Sequence, residues 1–316
     1  MMHLLPDKGG TMNKTDIHPK MLSGMMAAFA ADALALGVHW VYDVSRIKER
    51  YGRLDHLTAP EIAPFHKNRQ KGDFTHYGDQ MLVLLESLCH CSNFDMDDFA
   101  ARWQALFDNY EGYLDGATKK TLAGFQAGRS PASAGSDSTD LGGASRMVPL
   151  ALFYARDTEA FIHSAQQQTA MTHNHPLVLE TARFFALAAL ETASGSGPAA
   201  AVRSAAEHLP PASPIPGLVD KGLASVEKET ARAISGFGQA CDTTEALPGT
   251  IHLIARYPKD LETALIENIM AGGDSSARGI LCGFILGIHN RLDAVPQNWL
   301  EEMTAFNHIK TLTDDI

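Results

Sequence analysis

Apolar residues recur at helical spacing along most of this chain, in runs separated by short polar turns. Sustained strand alternation and Asn-Gly or Asp-Gly hairpins between apolar runs are both missing. The first apolar run, Met21–Val38, is hydrophobic nearly all round, which marks a core helix, with Ser23 as its cap and Leu36 near its end. It carries Asp32, so that carboxylate is expected to be buried and paired, hydrogen-bonded or bound to a cation. Further helices are expected at Ser45–Tyr51, Met81–Leu88, Asp95–Asn109, Asp115–Ala127, Met147–Ala155, Thr158–Thr169, Leu177–Ala193 and Ala199–Leu209. The pattern continues with one helix over Leu218–Ile234, then His252–Tyr257, Leu261–Met270 and Asn298–Phe306. Residues Leu54–Asp73 form a long connection without periodicity, rich in histidine and proline; long irregular loops in compact domains are often functional. Pro210–Pro216 reads as a rigid spacer and Gly236–Gly249 as an irregular loop. The whole is an all-α chain of a dozen or so helices in one domain, 21–316, after a polar extension, 1–20, expected to be disordered or an upstream start.

Within this pattern, Asn268–Gly287 stands apart. The turn Gly272-Gly273-Asp274-Ser275-Ser276 opens into an apolar helix carrying Gly279, Gly283 and Gly287. Residues four apart share a helix face, so these glycines make a smooth stripe for close packing. Asp274, Ser275 and Ser276 are helix-capping types at the positive end of the helix dipole. Two other polar turns share the design, Thr75–Gln80 and Thr172–Pro176. Each alone reads as a capped helix start; together they are how a helical chain builds a pocket.

Composition narrows the partners. The 316 residues are 45% hydrophobic and 20% charged, ordinary for a globular protein, and the formal net charge is −11. That balance disfavours nucleic acid or an anionic membrane as partner. Four cysteines make no disulfide framework, which points to a reducing cytoplasm. Cys89-His90-Cys91 is too tightly spaced for a zinc site and reads as a helix end. Met21–Val38 is too short and interrupted to span a bilayer comfortably, and no secretory signal is visible.

The ordered motifs resemble a known family. The chain has Asp32-Ala33-Leu34, then Thr75–Gln80 before Glu86-Ser87-Leu88, then Thr172-His173-Asn174-His175-Pro176, then Gly272-Gly273-Asp274-Ser275-Ser276. In this order and spacing it is similar to the ADP-ribosylglycohydrolases, which include the dinitrogenase-reductase-activating glycohydrolase and the J1 crystallins. The resemblance runs from about residue 21 to 303. It implies an orthogonal multi-helix bundle, Mg²⁺ between the early and late turns, and hydrolysis of a glycosidic bond to ADP-ribose, in an ADP-ribosylated protein or a small compound. Mg²⁺ suits hard oxygen ligands, and a two-ion clamp suits that chemistry.

The departures are as informative. Tyr77-Gly78-Asp79-Gln80 stands where the family has Thr-Asp-Asp-Thr, and Ser276 and Ala277 replace the late aspartate and threonine. His39 and Asp43 lie where a glutamate is expected. At most one Mg²⁺, held by Asp79 and Asp274, is left, or none. His76 and Tyr77 beside Asp79 then offer acid–base groups or fill the space of the missing metal and carboxylates. His173, Asn174 and His175 either contact ligand or satisfy neighbouring backbone. Arg146, in a Gly-rich segment, suits a diphosphate or a surface salt bridge. Gly272, Gly273, Ser275 and Ser276 complete the candidate ligand-binding set, with Asp79, His76, Tyr77 and Asp274 as candidate catalytic residues. The alternative to a hydrolase is an inactive binding or structural member. Asp115 and Lys119, four apart, read as an exposed helix pair.

Overall fold

The computed structural model describes residues 17–314 and 316, and their secondary structure is almost wholly helical. The first half runs α1 (Ile17–Ala35), α2 (Val44–Tyr51), α3 (His76–Cys91), α4 (Met96–Leu106), α5 (Gly116–Gln126), α6 (Gly142–Ser145), α7 (Leu150–Tyr154) and α8 (Thr158–Ala170). The second runs α9 (Pro176–Ala193), α10 (Pro198–Glu207), α11 (Ile215–Leu223), α12 (Thr230–Phe237), α13 (Thr243–Arg256), α14 (Leu261–Met270), α15 (Ser275–Asn290), α16 (Gln297–Glu302) and α17 (Phe306–Thr313). Among the described residues there is no strand, only the isolated bridges Ser136–His173 and Asp140–Asp242. No helix of the described residues is long and apolar enough to cross a membrane.

The core is organised on α1 and α15, the most extensively packed helix pair. The glycine stripe is the reason. A Cβ on Gly283 would lie 2.7 Å from the Ala27 carbonyl, and one on Gly287 would lie 2.7 Å from the Ser23 carbonyl. Both helices are buried over nearly their whole length, as their apolar sequences require. Helices α9, α13 and α14 pack around this pair.

Several boundaries differ from those read in the sequence. α1 begins at Ile17, so residues 17–20 belong to the folded domain; the rest of the expected extension lies outside the described residues. Ser23 therefore sits inside the helix, where its hydroxyl bonds back to the Pro19 carbonyl at 2.7 Å. Leu218–Ile234 is two helices: the chain turns after Leu223, and the Glu229 side chain accepts the amides of Ala231 and Arg232 to start α12. The loop assigned to Gly236–Gly249 turns helical at Thr243, with Pro248 inside α13. Asp242 caps that helix, and Pro248 removes only one donor from its ladder. Cys91 ends α3, as its sequence position suggests.

Candidate functional site

The site is built outward from Asp32, which is fully buried on α1. Its Oδ2 accepts the Thr75 amide at 2.8 Å and its Oδ1 accepts the Thr75 hydroxyl at 2.6 Å. Ser276 donates its hydroxyl to the same Oδ1, and the two hydroxyls lie 3.1 Å apart. Thr75 is also the N-cap of α3, accepting the Tyr77 amide. Burial raises the Asp32 pKa although these donors pull it down. The early and late turns, 201 residues apart, thus meet over one carboxylate.

The late turn is held from behind. Gly272 and Gly273 both have positive φ, +69° and +67°, a region open to glycine. Their geometry makes a two-way backbone clasp: Trp40 N–H donates to Gly273 O at 2.8 Å and Gly273 N–H to Val41 O at 2.9 Å. Arg278, buried one turn into α15, donates to Asn268 Oδ1 and Gly272 O. Asp274 then caps α15 and is wholly buried. Burial first, and the Asp140 carboxylate second, push its pKa up to about 8. Its Oδ1 is 3.6 Å from His39 Nδ1, while its Oδ2 and the Ser275 hydroxyl have no hydrogen-bond partner among the described residues.

His76 opens α3 and is buried. Its Nε2 is 3.2 Å from Asp115 Oδ2. This corrects the reading of Asp115 as half of an exposed pair with Lys119: Asp115 is 5% exposed and caps α5. Burial alone would raise it, but His76, with His173 and Arg146 beyond, holds it well below the usual carboxylate range. Tyr77 is also buried, and its hydroxyl donates to Asp140 at 2.9 Å; burial and then Asp140 raise its pKa.

Arg146 is no surface residue: its guanidinium is 1% exposed and donates to Gln80 Oε1, to Thr172 Oγ1 at 2.7 Å and to Gly142 O at 3.0 Å, and lies 2.9 Å from His173 Nδ1. The space beside Gly142 and Gly143 is filled by the Tyr77 and His173 rings, which a Cβ there would strike. So the glycines admit side chains of the protein itself. His173 is buried, and burial lowers its pKa to about 3. Asn174 is exposed, and His175 is a half-buried N-cap of α9.

Asp79 lies on another side of α3. Arg69, from the long connection, and Tyr110 both donate to its carboxylate, Tyr110 at 2.5 Å. Burial pushes its pKa up to about 7 against their pull. Asp79 as placed therefore does not serve as an Mg²⁺ ligand. Such an ion demands near-octahedral oxygen ligation at about 2.0–2.1 Å, whereas Asp79 is already engaged by a guanidinium and a phenol. Asp32 is likewise bonded to Thr75 and Ser276. The expected pairing of Asp79 with Asp274 through Mg²⁺ finds no support in this arrangement.

An aromatic wall closes the front. Trp40, with a left-handed φ of +62°, stacks on His39 and His66 and meets Phe65 and Tyr113 edge-on. A bulky residue at positive φ is strained, and such strain gathers at functional sites. Phe65 and Tyr113 line a surface cavity of about 360 Å³ together with Lys67, Asn68 and Lys119. A larger cavity of about 970 Å³, lined by Ile17, Cys89, Leu152 and Thr311 among others, contains none of the polar residues above.

Of the residues named from sequence, the fold brings Thr75–Tyr77, His173 and Asp274–Ser276 to one region and leaves Asp79 on another side of α3 with Arg69 and Tyr110. Sequence reasoning missed Asp115, Asp140, His66, Trp40 and Tyr113. The only signal for His66 was the aperiodic stretch that carries it. Asp43, which with His39 occupies the neighbourhood of the family's glutamate, caps α2.

The comparisons bear on family and fold. A family model described as ADP-ribosylglycohydrolase matches residues 13–316. An uncharacterized protein of Archaeoglobus fulgidus is 23% identical over 287 residues, covering 89% of this chain and 90% of its own. Crystallin J1A of Tripedalia cystophora is 21% identical over 320 residues, covering 94% and 96%. A solved ADP-ribosylglycohydrolase-related protein complex superposes with a TM-score of 0.70 at 21% identity, over 94% of this chain and 96% of that one. The all-α fold is thus that of the solved relative, and the chain belongs to the ADP-ribosylglycohydrolase family.

Proposed function

We propose that the protein is a glycohydrolase that cleaves a glycosidic bond to ADP-ribose, carried on a protein or a small ADP-ribosyl compound. The observation that carries this reading is the meeting of Thr75 and Ser276 over Asp32, which joins the two motif turns of the family into one site. Glycoside hydrolysis uses two carboxyl groups in different roles. Asp274, with its unpartnered Oδ2, and Asp115, beside His76, are the two buried carboxyls placed for them. Asp274 protonates the leaving group as its bond to ribose C1 breaks, and Asp115 with His76 faces the positive charge that develops on the ribose. Water adds to C1, its proton returning to the Asp274 carboxylate. Lys67 and Lys119, set against the single carboxylate of Glu111 in the cavity lining, give a local attraction for a diphosphate on an otherwise acidic chain. Tyr113, which lines the cavity, offers an aromatic contact for the base or the ribose.

The test is incubation with ADP-ribosylated peptides and small ADP-ribosyl compounds, with and without divalent metal, reading released ADP-ribose. Turnover supports the assignment, and no turnover in either condition overturns it. A second reading, an inactive ligand-binding or structural member, is favoured by the engagement of Asp79 with Arg69 and Tyr110. Similarity to a crystallin points the same way. Calorimetry against ADP-ribose separates the two: binding without turnover favours the second.

A further inference from the structure

Three imidazoles, two of which the hydrolytic reading leaves unused, converge from three parts of the chain. His39 follows α1, His66 comes from the aperiodic connection, and His76 opens α3. One ring nitrogen of each lies within 4.8 Å of the other two. Their centroids stand 5.3, 5.8 and 6.2 Å apart, close to an equilateral triangle. All three rings are at most 2% exposed. Among the described residues, His39 Nε2, both nitrogens of His66 and His76 Nδ1 lack hydrogen-bond partners, and His76 Nε2 meets only Asp115. Buried polar atoms are nearly always satisfied, so four orphaned nitrogens in one place call for a ligand. Packing alone would be met by apolar rings with none.

We infer that His39, His66 and His76 together hold one divalent transition-metal ion of the zinc class. Imidazole nitrogen suits such ions, whereas Mg²⁺ prefers oxygen. At Zn–N distances of about 2.0–2.1 Å, tetrahedral ligands stand about 3.3 Å apart, so the three nitrogens draw together by about 1.5 Å or less. Metal-bound histidines commonly pass their other N–H to a carboxylate. Here Asp274 Oδ1 faces His39 Nδ1 at 3.6 Å and Asp115 Oδ2 faces His76 Nε2 at 3.2 Å. The Ser276 amide donates to His39 Nδ1 at 3.3 Å. Metal binding at Nε2 therefore requires the ring proton to move to Nδ1 and that amide contact to give way to Asp274 Oδ1. A proton on His76 Nε2 facing Asp115 leaves Nδ1 for the metal. Three histidines leave a fourth position for water or a substrate oxygen. The strained Trp40 backs the rings of His39 and His66.

This site goes beyond the glycohydrolase reading, and because it is measured as metal content it stands or falls separately from it. The untagged full-length protein, stripped with a chelator, is titrated with ZnCl₂, CoCl₂ and MgCl₂ by calorimetry and its metal content measured after desalting. One equivalent of Zn²⁺ is expected, with no Mg²⁺ retained. His66→Gln is expected to weaken Zn²⁺ binding at least ~100-fold and Asp115→Asn about 10- to 100-fold, the range for outer partners. Replacing Cys89 and Cys91 together with Ser is expected to leave the stoichiometry unchanged. If His66→Gln fails to fold, the visible spectrum of the Co²⁺-loaded wild type decides: intense four-coordinate nitrogen-ligand bands support the site, and weak six-coordinate or thiolate bands overturn it. No Zn²⁺ or Co²⁺ at one equivalent overturns it, as does binding that survives His66→Gln and vanishes in the Cys89/Cys91 variant.

Discussion

Thr75 and Ser276 come from opposite halves of the chain, yet their hydroxyls lie 3.1 Å apart and both donate to Asp32 Oδ1. Removing either strips a donor from a buried carboxylate, and losing one partner of a buried charge costs about 1–3 kcal/mol. Thr75→Ala adds the loss of a helix cap, about 1 kcal/mol. We expect Thr75→Ala to cost about 2–4 kcal/mol and Ser276→Ala about 1–3, with the double variant differing from their sum because the groups touch. Urea denaturation measures all three; single losses under about 0.5 kcal/mol would contradict the network.

Gly283 sets helix propensity against packing. On propensity alone Gly283→Ala should stabilise by about 1 kcal/mol. The added Cβ would meet the Ala27 carbonyl at 2.7 Å, and overpacking typically costs about 1–3 kcal/mol. Net destabilisation is expected, read as a lower melting temperature; a rise would show that α1 and α15 have room to separate.

Asp79 and Asp274 are expected to fail differently. Asp274→Asn keeps a cap-forming side chain but removes the proton donor, and loss of an acid–base group costs about 10²–10⁴-fold in rate. Asp79→Ala leaves Arg69 and Tyr110 without their shared acceptor, so it should lower stability by about 1–3 kcal/mol and change kcat/KM far less. Parallel kinetics and melting curves check this, and the reverse pattern would move the chemistry to Asp79.

Acid should weaken the fold through buried imidazoles. His252, enclosed by Ser225 and Thr230, has its pKa lowered to about 4, chiefly by burial. Unfolded, it titrates near 6.5. The unfolded state therefore binds more protons between those values, so the stabilisation is complete above about pH 6.5 and is lost as pH falls toward 4. The ceiling for this one group is about 3 kcal/mol. His173, lowered to about 3, acts in the same sense. His252→Gln should flatten the slope of stability over pH 4–6.5 relative to wild type, and an unchanged slope would remove His252 from the account.

The helical scaffold was legible because its signals are local. Periodicity placed α3, α8, α9 and α14 to within a few residues, and the glycine stripe announced the close α1–α15 contact. Where the reading failed, the deciding contact was distant in sequence. Pro248-Gly249 reads as a loop by local rules, yet Asp242 caps a helix that tolerates the proline. Asp115 and Lys119 fit an exposed pair by spacing, but His76 is what Asp115 meets. Arg146 was read against ligand or solvent, when its partners are Gln80, Thr172 and His173. The histidine triangle has no motif at all, since its corners lie on three unconnected segments.

The bond between Asp32 and Ser276 spans 244 residues. During synthesis at about 5–20 residues per second, α1 leaves the ribosome about 12–50 s before the partner helix that covers it and satisfies its carboxylate. Throughout that interval the nascent protein exposes its most apolar helix. Chaperone occupancy during translation should therefore peak after α1 and fall only once α15 has emerged.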